Sequence, residues 1–294
     1  MATLKDVLRK IGAVKKTKQI TRAMNMVAAA RLRGAQAKME NFAPYARKFS
    51  EVLGNLSSRL EPDIHPLLTP KEEVKRIRVV LMTSDRGLCG SFNMNLINRA
   101  EKLLKEKQTA GREVDLTCIG KKGRDFFRRR PYTMSGEYVG VLGRAEIGLV
   151  NNIANSLIKA FLSEAEPVVD EVYLVYARFL SMSKQVPDVV KLLPITPPDQ
   201  SETAQFGPTL EYLCEPSAGS LMIDLLPKHI SVQIYNAFLQ TETSEHAARM
   251  ASMDNATKNC NEMVQNLTLV YNKARQAAIT KELMDIVGGA EALK

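Results

Sequence analysis

Each end of this chain carries an apolar lane, and a lane of that kind cannot stand alone in water. Over residues 4–60 it runs Leu4, Val7, Ile11, Val14, then Ala28, Leu32, Ala35, Met39, Phe42, Ala46, Phe49, Leu53, Leu56 and Leu60. Within roughly residues 229–286 a second lane runs Met253, Ala256, Cys260, Met263, Leu267, Val270 and Ala274. Alternating steps of three and four residues put these side chains on one helix face and ask for a partner helix in a left-handed supercoil. Each stretch suffices for a rod of about 85 Å. Two rods of similar length at opposite ends of one chain are best satisfied by each other, as an antiparallel hairpin with the middle of the chain at its foot.

The first lane thins at Lys18, Thr21 and Asn25, where Ile20, Met24 and Val27 offer an adjacent apolar strip, so the contact face is expected to rotate there. Pro44 lies between lane residues on both sides and predicts a kink rather than a stop. Pro62, Pro66 and Pro70 end the helix in a short linker. The middle alternates between strand and helix signals. Residues 77–83, 114–119 and 171–179 read as strands, 138–141 as a third strand after the second, and 186–193 as a hairpin partner of 171–179. Residues 92–108, 122–129 and 145–162 read as the intervening helices. Strands separated by helices predict a mostly parallel, Rossmann-like sheet. Prolines between 194 and 216 mark a return loop, Pro227 is expected near the start of the second long helix, and Gly288-Gly289 near its end. The expected domains are therefore a coiled-coil helix at 1–60, a linker at 61–76, an α/β domain with return loop at 77–216, and a second coiled-coil helix at 217–294.

Composition narrows the function. The net charge is +9, and Lys5, Arg9, Lys10, Lys15, Lys16, Lys18, Arg22, Arg31, Arg33 and Lys38 crowd the first helix. Such a helix steers towards nucleic acid, anionic lipid or an acidic protein surface. The charged start is unlike a signal peptide, and no run approaches the ~20 apolar residues that span a bilayer. Cys89, Cys118, Cys214 and Cys260 are too dispersed for a zinc pattern and read as reduced and mostly buried. An α/β domain invites a nucleotide site, yet neither GxxxxGK[ST] nor GxGxxG follows the first strand. In that place stands Asp85-Arg-Gly-Leu-Cys-Gly90, where Gly87 and Gly90 suit a tight turn and Asp85 serves as a turn former. His65, His229 and His246 have no acid or nucleophile at recognisable spacing. No catalytic, cofactor or metal constellation emerges.

Three blocks carry a resemblance. They are Thr17-Lys-Gln-Ile-Thr-Arg-Ala-Met-Asn-Met-Val-Ala-Ala-Ala30, Ser84-Asp-Arg-Gly-Leu-Cys-Gly-Ser-Phe-Asn93, and a C-terminal block from Ser244-Glu-His-Ala-Ala-Arg-Met250 through Asp254-Asn-Ala-Thr257 to Tyr271-Asn-Lys-Ala-Arg-Gln-Ala-Ala-Ile-Thr-Lys-Glu282. In that order, over essentially the whole chain, they resemble the gamma subunit of bacterial F-type ATP synthases. The resemblance implies a non-enzymatic central rotor stalk without cofactors, whose helical hairpin enters a ring of three alpha and three beta subunits. The α/β domain, with the epsilon subunit, would stand on a membrane ring of c subunits turned by proton flow. The location implied is the cytoplasmic face of the bacterial inner membrane, peripheral and held through the complex.

The same resemblance assigns contacts. Arg275 and Gln276, with Thr280 and Glu282, match positions that hydrogen-bond a loop of beta. Met24, with Arg22 and Arg249, matches positions facing the acidic lever loop of beta. Tyr212 and Glu215 match the foot near the c ring and epsilon. The cysteine-bearing regulatory insertion of chloroplast relatives is missing after Leu193, so no thiol switch is expected. Two rivals remain from the residues alone: a basic coiled-coil protein that binds nucleic acid, and a stand-alone α/β nucleotide enzyme.

Overall fold

The structure, a computed structural model, describes residues 3–57, 65–71, 73–143, 146–163, 168–196, 215 and 217–291. In chain order its elements are α1 (Leu4–Ser57), β1 (Arg76–Met82), α2 (Phe92–Thr109), β2 (Glu113–Ile119), α3 (Lys121–Phe127), β3 (Thr133–Tyr138), α4 (Ile147–Leu162), β4 (Glu171–Phe179), β5 (Gln185–Leu193) and α5 (Ala218–Glu291). The expected combination of two long terminal helices with a central α/β sheet is found. The chain forms two compact units, one of residues 1–29 with 249–294 and one of residues 30–248.

In the larger unit the sheet order is β3-β2-β1-β4-β5. The first four strands are parallel and β5 returns antiparallel to β4. Alternation along the strands splits the core in two. Val80, Met82, Val172 and Leu174 face α4, Leu53 and Leu56 of α1, and Met222, Leu226, Ile230, Ile234 and Phe238 of α5. Val79, Leu81, Leu116 and Val175 face Leu96, Ile97, Ala100 and Leu104 of α2 and Phe127 of α3. From Val79 to Met82 β1 is buried on both faces, which is why that stretch is a continuous apolar run. Within this unit α1 and α5 pack antiparallel: Phe42 meets Tyr235 edge-on and Phe49 stacks on His229.

In the smaller unit the two helices are also antiparallel. Thr21 Oγ1 lies 2.9 Å from Thr257 Oγ1, and Asn25 Nδ2 donates to the Met250 carbonyl at 2.8 Å. Here the expected rotation of the contact face is corrected. Ile20 and Val27 are 60% and 54% exposed, whereas Thr21 is 8% exposed. The heptad lane runs straight through its polar positions because their side chains find partners: Thr21 Oγ1 also reaches the Lys18 carbonyl and Thr257 Oγ1 the Met253 carbonyl, so two hydroxyl protons serve three contacts. The second lane is corrected too. Met253, Cys260, Leu267 and Ala274 stay on the inner face, but Met263 and Val270 are both 52% exposed, and the steps between fall on Thr257, Val264 and Tyr271 instead. Both lanes share the residues seven apart; pairing with Thr21 selects the one that contains Thr257.

Other boundaries shift for local reasons. The third strand is Thr133–Tyr138, not 138–141; it is an edge strand, so only one side of its residues needs burial and its apolar signal is weak. Gly140 at φ +77 turns the chain after it. α5 starts at Ala218, so Pro227 lies inside the helix rather than near its start. The carbonyl that this proline leaves without a helix donor is that of Ile223, an exposed residue. α1 likewise continues through Pro44. The Gly288-Gly289 pair does not end α5, which runs to Glu291. Leu60, Pro62 and most of the return loop lie outside the described residues.

Candidate functional site

Two regions gather the residues singled out from the sequence. The first is the smaller unit. Lys15, Lys18 and Arg22 of α1 line one groove with Asn261, Val264 and Gln265 of α5. Lys18 occupies a seam position and is half-buried. Arg22 is exposed and Met24 half-buried, one turn from the Thr21–Thr257 layer. Arg249 is 8% exposed and engaged with its surroundings. Further along α5, every residue from Arg275 to Gly288 except Ala278 is exposed. Arg275, Gln276, Thr280 and Glu282 therefore stand on open helix surface, as do Ile279, Leu283, Met284 and Ile286, which are 54% to 72% exposed. At this register the first residue of α1, Leu4, is opposite a point near Ala274, so among the described residues no turn of α1 faces the stretch beyond.

The second region is the carboxyl edge of the sheet. Asp85 does not close a turn on its own neighbours. Its Oδ1 accepts the Lys121 amide at 3.0 Å and the Gly140 amide at 2.8 Å, joining the loops after β1, β2 and β3. Ser84 and Asn93 hold the intervening loop: the Ser84 amide donates to Asn93 Oδ1, and Asn93 Nδ2 donates to Ser84 Oγ and Cys89 Sγ. Gly90 has φ +60, and Leu88 takes φ +64 with its side chain 60% exposed. Gly87 lies beside Lys122, 3.7 Å from that side chain's Cε to the place a Cβ would take. Gly120 approaches so closely that a Cβ would lie 1.9 Å from the Thr83 carbonyl oxygen. The loop is thus a tied turn. Its carboxylate already sits on the Lys121 amide, where a bound anion would otherwise compete for donors.

In a doubly wound sheet a ligand enters where the strand order reverses. Here that point lies between β1 and β4, and α5 fills it. Thr241 and Ser244, both fully buried, bond the Ala177 backbone at the end of β4, and Thr241 also touches Met82 Sδ at the end of β1. From Thr241 to Ala247 every residue of α5 is buried, though most are polar. Glu242 faces Gly143, and burial raises its carboxyl pKa against the opposing pull of Lys38. Lane counting from the sequence misses this stretch; its signal is the run Leu226, Ile230, Ile234, Ala237 and Phe238 leading into it at helical spacing.

Among the described residues no group of three or more His, Cys, Asp or Glu could hold a metal ion. Cys89, Cys118 and Cys260 form no disulfide among the described residues, and burial pushes the Cys118 thiol up to about 12, which suppresses thiolate chemistry. His229 is buried, with Nε2 on Gln233 and Nδ1 without a partner. Tyr212 and Cys214 lie outside the described residues; Glu215 is exposed. Among those described, no helix is long and apolar enough to cross a membrane.

A family model described as ATP synthase matches residues 3–293. The chain is 55% identical over 296 residues to the ATP synthase gamma chain of Syntrophobacter fumaroxidans, with all of both chains covered. It is 51% identical over 296 residues to the ATP synthase gamma chain of Nitratidesulfovibrio vulgaris strain Miyazaki F, again over the full length of both. Among solved structures it is similar to a chain of the rotor of the Euglena gracilis mitochondrial ATP synthase, with TM-score 0.66, 18% identity, and 94% of this chain and 98% of that one covered. A chain of the central stalk and c-ring structure of the Tetrahymena thermophila mitochondrial ATP synthase matches with TM-score 0.58 and 24% identity, over 81% of this chain and 99% of that one.

Proposed function

The chain belongs to the ATP synthase gamma chain family, and we propose that it is the non-catalytic central rotor stalk of a bacterial rotary ATP synthase. One observation carries this reading: gamma chains match it at about half identity over the full length of both chains. In this account the paired helices lie within a ring of three alpha and three beta subunits. The sheet domain, with epsilon, meets the ring of c subunits on the cytoplasmic face of the membrane. Rotation driven by ion flow turns an uneven surface past each beta subunit in turn.

The chain's chemistry suits such a part. Two helices locked along a shared seam resist bending better than one. The exposed end of α5 offers the apolar side chains Ile279, Leu283, Met284 and Ile286, which a surrounding sleeve would meet without directional bonds. Directional contacts come from polar residues interleaved with these and from the smaller unit's α1. Arg275 and Gln276, helped by Thr280 and Glu282, would bond one loop of beta, and Arg22 with Met24 would meet its acidic loop, where opposite charge gives an angle-dependent attraction. Arg249, buried and held, would shape that surface instead of reaching from it. Glu215 and Tyr212 would belong to the foot.

The geometry disfavours both rivals. A nucleotide would have to displace buried polar turns of α5 from the switch point. A duplex would need the basic groove free of protein partners. Affinity purification of the chain from its host tests the reading. Recovery with alpha and beta subunits at one copy per three of each supports it; recovery as a lone protein, or with nucleic acid at low salt only, would refute it.

A further inference from the structure

Strand β4 outruns its neighbour. The β1–β4 ladder stops at Leu81–Val175, while β4 continues to Phe179 and stays paired with β5 on its other side up to Gln185. Ala177 and Phe179, two residues apart, direct their N–H and C=O groups to the same side of the strand, the side β1 has vacated. Buried backbone groups need partners, and α5 supplies them from side chains. Thr241 Oγ1 accepts the Ala177 amide at 3.3 Å, Ser244 Oγ donates to the Ala177 carbonyl at 3.4 Å, and Gln240 Oε1 accepts the Phe179 amide at 3.4 Å. A helix here takes the place of a strand.

We infer that Gln240, Thr241 and Ser244 are positioning residues that fix the rotational angle of α5 against the sheet, so that load on the sheet passes into the helix without slip. The argument runs from the kind of contact. Apolar packing between helix and sheet is non-directional, and ridges can settle in neighbouring grooves. Three bonds from i, i+1 and i+4 of one helix to the backbone of one strand define a single height and a single angle. Two of the three, Thr241 and Ser244, lie where α5 is buried around its whole circumference, so no solvent-facing side relaxes the constraint there, and half-buried Gln240 borders that stretch. This inference rests on the rotor reading, because only a part that carries torque needs such an angle held under load.

The test uses the full chain assembled in the membrane complex. ATP hydrolysis by the catalytic part detached from the membrane, where the sheet carries no load, is compared with ATP-driven ion pumping by the whole complex. Thr241→Val with Ser244→Ala keeps shape and removes two bonds. Detached hydrolysis is expected to stay at the wild-type rate, while ions pumped per ATP fall roughly 2- to 10-fold. Thr241→Ser, which keeps the hydroxyl, should pump like wild type. Gln240→Met, at a half-buried position, should give a smaller fall in the same direction and keeps the test open if the double variant fails to assemble. Unchanged pumping in the double variant or, if that cannot be assembled, in Gln240→Met would overturn the inference, as would parallel losses of hydrolysis and pumping shared by Thr241→Ser. A wild-type chain that assembles yet supports no coupled pumping would instead overturn the rotor reading, and the inference with it.

Discussion

Single side chains set measurable limits on this protein. His229 is an example: burial lowers its pKa from 6.5 to about 4, so the folded state prefers the neutral ring. The unfolded chain then binds more protons between those values, and stability falls as pH drops from above 6.5 towards 4. The full loss from this group is about 3 kcal/mol. His229→Leu should flatten the slope of urea midpoint against pH relative to wild type across that window; an unchanged slope would show that the ring is not held neutral. Gly120 offers a second case. At φ +100, with a Cβ landing 1.9 Å from the Thr83 oxygen, Gly120→Ala must displace backbone and should cost more than ~3 kcal/mol in a thermal melt. Gly111→Ala, at φ +76 in open space, should cost only about 1 kcal/mol. Equal melting points for the two variants would contradict the close approach. Gly87 and Gly90 are visible as turn formers in the sequence, but the need at Gly120 is not, because the atom that excludes a side chain there is 37 residues away in the chain.

Among elements, what was legible depended on whether one residue type dominates a face. The strands β1, β2 and β4 stand out because most of their residues are buried and β-branched or apolar, as in residues 79–82 and 172–177. The edge strand β3, Thr-Met-Ser-Gly-Glu-Tyr, does not, since half of it meets water. Asp85 was recognisable as a loop residue, whereas its two amide partners from other loops are a tertiary fact. The helical seam was legible in period and ambiguous in phase, for Met263 and Val264 are adjacent and both apolar. That ambiguity gives a sharp prediction. Val264→Asn should lower the stability of the paired helices by roughly 1–2 kcal/mol, read as faster amide exchange in α5, while Met263→Asn should stay within about 0.5 kcal/mol. The reverse order would restore the lane through Met263. Replacing the polar layer by Thr21→Val with Thr257→Val should be close to neutral, because both partners go together and no hydroxyl is stranded.

On the scale of the whole molecule, the family was visible in three sequence blocks, and the full-length relatives bear it out. The blocks name candidate partner contacts through the resemblance, while the contacts themselves exist only in the assembly. Replacing Arg275 and Gln276 together, both on open helix surface, should lower rotation-coupled ATP turnover while the complex still assembles. Turnover equal to wild type would remove them from the coupling path. The most direct test of the rotor account is to attach a bead to an exposed position on α2, such as Lys102, in the catalytic assembly immobilised through its outer subunits. Adding ATP should drive the bead in one direction with three dwells per turn. ATP hydrolysis at the normal rate with a labelled chain that stays still would contradict it.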